Sequence, residues 1–321
     1  MANVSGQSGY LGEREESHYD AGFLLGRRVT EMSPTEAWPD RGLDLSNLDA
    51  TGPAEIEQFR ESYRKSHGKS LAAYEFWLQF DPAVAKLHRT QILGSSSRHT
   101  VSYPLIGTLG FLYLYAVTFY EEGVRYETHH AYDQGASVAE ILQTLELAMI
   151  GAGPRSADIA WSAARPVLAE LSERPAPIPD RFPGHWQGKA GNLFDIDLPS
   201  SRHADGAAAS TAIATWYERV TGSVPSWIGY LAEHRPELLV ALVARRARAM
   251  RGPLPAQMLP LLLIHAGTAV GHERQLAEGL SFVQAAGITA DEVAEAVSWG
   301  VLVSGISGAD LAARIVARAH H

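Results

Sequence analysis

There is no cysteine among the 321 residues of this chain. That single absence excludes a disulfide framework, a thiolate nucleophile and a Cys-x-x-Cys redox pair. Positive charge is also short, since Lys and Arg number 27 against 36 Asp and Glu, for a formal charge of −9. Such a surface offers phosphates no broad basic field, so nucleic acid is not an expected partner. The local run Arg245, Arg246, Arg248 and Arg251 falls near the end of a helical pattern. It reads as a solvated outer face whose cations complement the helix dipole. Met1 to Glu16 is polar and lacks the basic-then-apolar order of a secretory signal, so a cytoplasmic protein is expected.

What is present is ordinary globular material, 46% hydrophobic and 20% charged. Strand-like alternation is scarce, and from about Ile56 the apolar residues Phe59, Tyr63, Leu71, Tyr74, Trp77 and Leu78 fall at helical spacing. Tyr103 to Tyr120 is uncharged over 18 residues, long enough to resemble a membrane span. Its counterpart near Met258 to Gly271 carries His265 and small residues, so a buried core helix is expected in both places and no membrane partner.

That counterpart exists because the chain repeats itself. Tyr63, Gly68 and Pro82 recur as Tyr217, Gly222 and Pro236 at one constant offset. At an offset two residues shorter, Gly135, Glu140, Gly153 and Ala157-Asp158-Ile159-Ala160 recur as Gly287, Glu292, Gly305 and Ala309-Asp310-Leu311-Ala312. Ser137 with Glu140, and Thr289 with Glu292, have capping-box spacing, and each follows a glycine suited to ending the previous helix. The expected organisation is an irregular N-terminal arm over 1–57, a first helical repeat over 58–170, a Pro/Gly-rich linker over 171–209 and a second repeat over 210–321. Whether His185 and Trp186 in the linker belong to a lid is open at this level.

The unit of apolar helix, second helix, glycine stop and capped third helix resembles the carboxymuconolactone decarboxylase and alkylhydroperoxidase D family. The matching stretches are Val124 to Ser137 with Glu140, and Leu280 to Thr289 with Glu292 and Glu295. The resemblance implies an all-α fold of two tandem alkylhydroperoxidase D-like repeats and assembly into a homo-oligomer. In the peroxidase branch a Cys-x-x-Cys pair is followed by a His eight residues before the glycine. Those positions hold Tyr120, Gly123 and Glu127 in the first copy and His272, Gln275 and Gly279 in the second. Thiol peroxidase chemistry is therefore excluded, and the resemblance points to the cofactor-free decarboxylase branch. Even there, Glu127 stands in place of a His.

The copies differ where chemistry is possible. Glu121, Glu122, Tyr126, Glu127, His129 and His130 of the first copy face Glu273, Arg274, Glu278, Gly279, Ser281 and Phe282 of the second. On an unbroken helix Tyr120, Gly123, Glu127 and His130 form one stripe, with Gly123 leaving room for a substrate. A carboxylate one turn from an imidazole holds its tautomer and favours its charged form, which makes a usable acid/base pair. Tyr126 and His129 lie on an adjoining face, with Glu122 one turn before Tyr126. Arg125 can clamp a substrate carboxylate or pair with Glu121 or Glu122. His272 can complete a pocket between repeats or act as a helix cap.

These residues support a cofactor-independent, decarboxylase-like lyase acting on a small cyclic carboxylated or carbonyl-containing molecule. Glu127, His130, His129 and Tyr126 are its candidate catalytic residues, and Arg125, Tyr120, Glu122 and His272 its candidate substrate contacts. Neither cofactor nor metal is called for. Glu127-x-x-His130 is also half of a carboxylate-bridged di-iron motif, so a metal-dependent oxygenase or hydrolase is an alternative. A non-catalytic ligand-binding or assembly protein is another.

Overall fold

The computed structural model describes residues 42–48, 51–67, 72–96, 103–171, 181–186, 193–194, 196, 198 and 206–319. Most of the expected arm, residues 1–41, lies outside them. Every regular element among the described residues is helical. Two compact units divide the chain, one whose described part runs over 42–87 and one over 88–319.

The first unit holds α1 (Pro53–His67), α2 (Ala72–Phe80) and the start of α3 (Pro82–Ser96). Phe59, Tyr63 and Tyr74 pack with ring centroids 4.7–4.9 Å apart and form its centre with Leu43 and Leu78. Arg60 on α1 grips both carboxylate oxygens of Glu75 on α2, at 3.1 and 3.0 Å from its Nε. Lys86 is fully buried, which is tolerable because its ammonium meets Glu55 at 2.8 Å and the Asn47 carbonyl at 2.7 Å.

In the second unit the first repeat continues through α4 (Pro104–Val117), α5 (Glu121–Asp133), α6 (Val138–Ala152) and α7 (Pro154–Glu170). Then come α8 (Gly206–Thr221), α9 (Ser226–His234), α10 (Pro236–Ala249), α11 (Met258–Val270), α12 (Glu273–Ser281), the single turn α13 (Val283–Ala286), α14 (Ala290–Ser304) and α15 (Ile306–Ala319). The packing repeats as the sequence does. Helix α4 lies against α5 and α6, and both of these touch α7; α11 lies against α12 and α14, and both of these touch α15. The two apolar helices, α4 and α11, also pack on each other. Each is buried over nearly its whole circumference, so their lack of charge reflects a core position. Among the described residues no helix is long and apolar enough to cross a membrane.

Both capping boxes form. Ser137 and Glu140 bond each other's backbone N–H, as do Thr289 and Glu292. Gly135 at φ 97° and Gly287 at φ 67° make the reversals before them, a left-handed geometry that other residues enter only at a cost. The linker then joins the two boxes. Arg181 donates to Glu140 and to the Gly135 carbonyl, while Trp186 donates to Glu292 at 2.6 Å and His185 lies 3.2 Å from the same oxygen. His185 and Trp186 thus clasp the second repeat's cap. The copies differ in one backbone feature: α5 is continuous, whereas its counterpart breaks at Phe282 into α12 and α13.

Candidate functional site

Helix α5 carries most of the candidate residues. It starts after Tyr120, has Glu121 and Glu122 in its first turn where the dipole favours acids, and ends at Gln134. Its apolar side, Val124 and Ala131, packs into the core and carries Glu127 inward with it. Only 6% of Glu127 is exposed. Its Oε2 lies 3.2 Å from His130 Nδ1, one turn along. Burial pushes the Glu127 carboxyl above its usual range, and the hydrogen bond and charge of His130 pull it part of the way back. Spacing brought this pair together, but burial separates it from a solvated helix-surface pair.

The other imidazole nitrogen also has a neighbour. Gln134 Nε2 lies 3.4 Å from His130 Nε2, where an amide N–H donates to an unprotonated ring nitrogen. The arrangement fits one tautomer, with Nδ1–H donating to Glu127 and Nε2 free of a proton. Tyr126 rests against the same ring, with centroids 5.5 Å apart. Gln134 was missed in the sequence, although its place one turn after His130 was a readable signal.

The remaining candidates are placed differently. His129 feels the charges of Asp133 and of Glu170 at the end of α7; burial pushes its pKa down while those acids oppose the shift. Adjacent residues on a helix point about 100° apart, so His129 and His130 address different surroundings. Arg125 pairs with Glu121 at 3.1 Å on a half-exposed face, the structural role open to it from the start. Glu122 lies partly exposed in the first turn. His272 is the N-cap of α12, where its Nδ1 accepts from the Gln275 backbone N–H at 3.1 Å.

Three expectations need correction. Tyr120 precedes α5 instead of continuing its stripe, and its ring packs edge-on against Tyr115 at 5.2 Å. The space above Gly123 is not open, because a Cβ there would meet the Tyr115 and Tyr120 rings at 2.5 Å. Glycine at this position admits two aromatic rings, not a substrate. A third correction concerns Arg246, expected to be solvated. It turns inward, while Arg245, Arg248 and Arg251 are exposed. Among the described residues no group of three His, Asp or Glu side chains is arranged to hold a metal ion.

Paired apolar helices, capped third helices and a repeated packing order define the all-α carboxymuconolactone decarboxylase-like fold. A solved structure from Burkholderia xenovorans LB400, provisionally named a gamma-carboxymuconolactone decarboxylase subunit, matches with a TM-score of 0.52 and 20% identity. The match covers 84% of this chain and 98% of that one. At this identity the likeness is one of fold. No protein-family model matches the chain, and no curated protein matches it in sequence.

Proposed function

We propose that the first repeat is a cofactor-independent lyase site, decarboxylase-like, acting on a small cyclic carboxylated or carbonyl-containing substrate. The supporting observation is the buried Glu127 carboxylate 3.2 Å from His130 Nδ1, which leaves Nε2 as the working atom. When the carbon–carboxylate bond breaks, carbon dioxide leaves and its electron pair passes into an enolate. The imidazolium Nε2–H then protonates carbon, while Glu127 holds Nδ1–H and stabilises the charged ring beforehand. Gln134 keeps Nε2 oriented at rest, and turning its amide presents an oxygen once Nε2 carries a proton. Tyr126 sets the plane of the ring. Assembly into a homo-oligomer in the cytoplasm belongs to the same reading.

The test is turnover of a panel of cyclic β-keto and β,γ-unsaturated carboxylic acids, followed by carbon dioxide release. Glu127→Gln and His130→Asn are each expected to lose about 100-fold or more, the usual scale of acid/base catalysis. Equal turnover in wild type and Glu127→Gln sinks the assignment. A panel on which nothing turns over, with compounds nevertheless bound, favours a ligand-binding protein.

A further inference from the structure

Glu140 and Glu292 hold the same capping-box position in the two repeats, and both are buried, at 0% and 3% exposure. Each gives Oε2 to its own cap. Glu140 accepts there from the Ser137 N–H and hydroxyl, and Glu292 from the Thr289 N–H and hydroxyl. A carboxylate taken out of water still needs an opposite charge or further donors. Residues 181–186 supply these to both copies, but unequally. Arg181 Nη1 donates to the same Oε2 of Glu140, whose Oε1 has no partner among the described residues. At Glu292 it is Oε1 that the segment uses, accepting from Trp186 Nε1 at 2.6 Å and lying 3.2 Å from His185 Nε2.

The two basic partners differ in kind. A guanidinium keeps its charge throughout the working pH range, whereas an imidazole changes charge between about pH 5 and 8. His185 is open to that change, since 41% of its side chain is exposed. Among the described residues Glu292 is the one ionisable side chain within ion-pair distance of it. Arg181, the other charged group of the segment, is engaged at Glu140, and Asp291, beside Glu292 on α14, is exposed. A neutral His185 can still donate from Nε2, but it no longer offsets the buried charge. Trp186, 3% exposed and stacked on Phe182 at 5.9 Å, stays seated by apolar burial. The consequence of losing the proton is a looser attachment, not detachment.

We propose that residues 181–186 form a pH-sensitive strap across the two repeats, fixed to the first by Arg181 and held more tightly to the second repeat's cap when His185 is protonated. The strap is independent of the lyase reading, because neither His185 nor Glu292 belongs to the α5 site.

Hydrogen exchange of the Trp186 indole N–H, the donor to Glu292, tests the strap in nitrogen-15 spectra of the full chain. Its resonance is the one lost in Trp186→Phe. The indole N–H of Trp216, buried on α8, is the reference for wider opening of the fold. After correction for the intrinsic pH dependence of exchange, protection of Trp186 relative to Trp216 should fall roughly fivefold from pH 5 to pH 8. That is about the difference between a charged and a neutral hydrogen bond, at the lower end because His185 is partly solvated. His185→Gln cannot titrate and should give the low ratio at both pH values. His185→Lys stays charged and should give the high ratio at both, a second readout on an exposed position. A wild-type ratio that does not move with pH overturns the proposal. So does a fall that persists in His185→Gln, which would put the titration on another group, or one that persists in His185→Lys.

Discussion

His130 Nδ1 and Glu127 Oε2 lie 3.2 Å apart on one turn of α5, and the carboxylate is the buried partner. A helix-surface pair of this spacing contributes a few tenths of a kcal/mol, so burial of the carboxylate is a cost that spacing alone does not repay. Function is one reason to keep such a group.

That cost is measurable. The Glu127 carboxyl is raised in the folded state above its ordinary value of 4.5. Its contribution to stability is thus fully present below pH 4.5 and lost as pH rises through the folded value. Glu127→Gln, which keeps a hydrogen-bonding side chain and removes the charge, should be at least as stable as wild type at pH 8. The advantage should shrink toward pH 4. Thermal midpoints across that range decide it, and a variant most destabilised at pH 8 contradicts the placement.

His265 gives the opposite slope. It is buried at 1% exposure between Phe111 and Trp299, neither ring nitrogen has a partner among the described residues, and burial pushes its pKa down to about 3. The native state refuses a proton that the unfolded chain accepts below pH 6.5. Stability is therefore full above pH 6.5 and falls as pH drops toward 3, by at most about 1.4 kcal/mol per unit from this group. His265→Leu should flatten that limb in denaturant titrations at pH 4 to 7.

The linker clasp predicts unequal cap mutations. Ser137→Ala removes one cap and should cost about 1 kcal/mol. Glu140→Ala also strips Arg181 of its carboxylate and should cost about 3 kcal/mol or more. In a double-mutant cycle with Arg181→Ala, measured by urea unfolding, the pair should couple by more than about 1 kcal/mol. Simple additivity would show that the clasp carries little energy.

Two helical glycines should respond oppositely to alanine. At Gly279 a Cβ would stand 2.8 Å from the Pro260 carbonyl and 2.9 Å from the Ile264 amide nitrogen, backbone atoms that cannot step aside. Gly279→Ala should destabilise by about 1–3 kcal/mol. At Gly229 nothing lies within 4 Å, so Gly229→Ala should stabilise α9 by about 0.5–1 kcal/mol. Urea midpoints moving in the same direction would refute the close approach of α11 and α12.

Much of this was legible in the sequence because local chemistry fixed it. Both capping boxes, both glycine reversals and both apolar core helices follow from residue types at short spacing. The Glu127–His130 pair was legible for the same reason, being separated by one turn. Gly123 was misread because the rings that fill its space come from Tyr120 before the helix and Tyr115 on another helix. Arg246 was misread because its partners lie 29 and 32 residues away, beyond any periodicity on its own helix.

By itself, then, the sequence determined the duplication, the helical elements, their caps and the exclusion of thiol chemistry, since each depends on residue identity or on contacts within a few turns. Tertiary structure decided which polar groups left water. The same helix register that buries Glu127 exposes Arg125, and the same basic run that solvates three arginines turns the fourth inward. Those outcomes depend on which face meets a neighbouring helix, a relationship between segments distant in the chain.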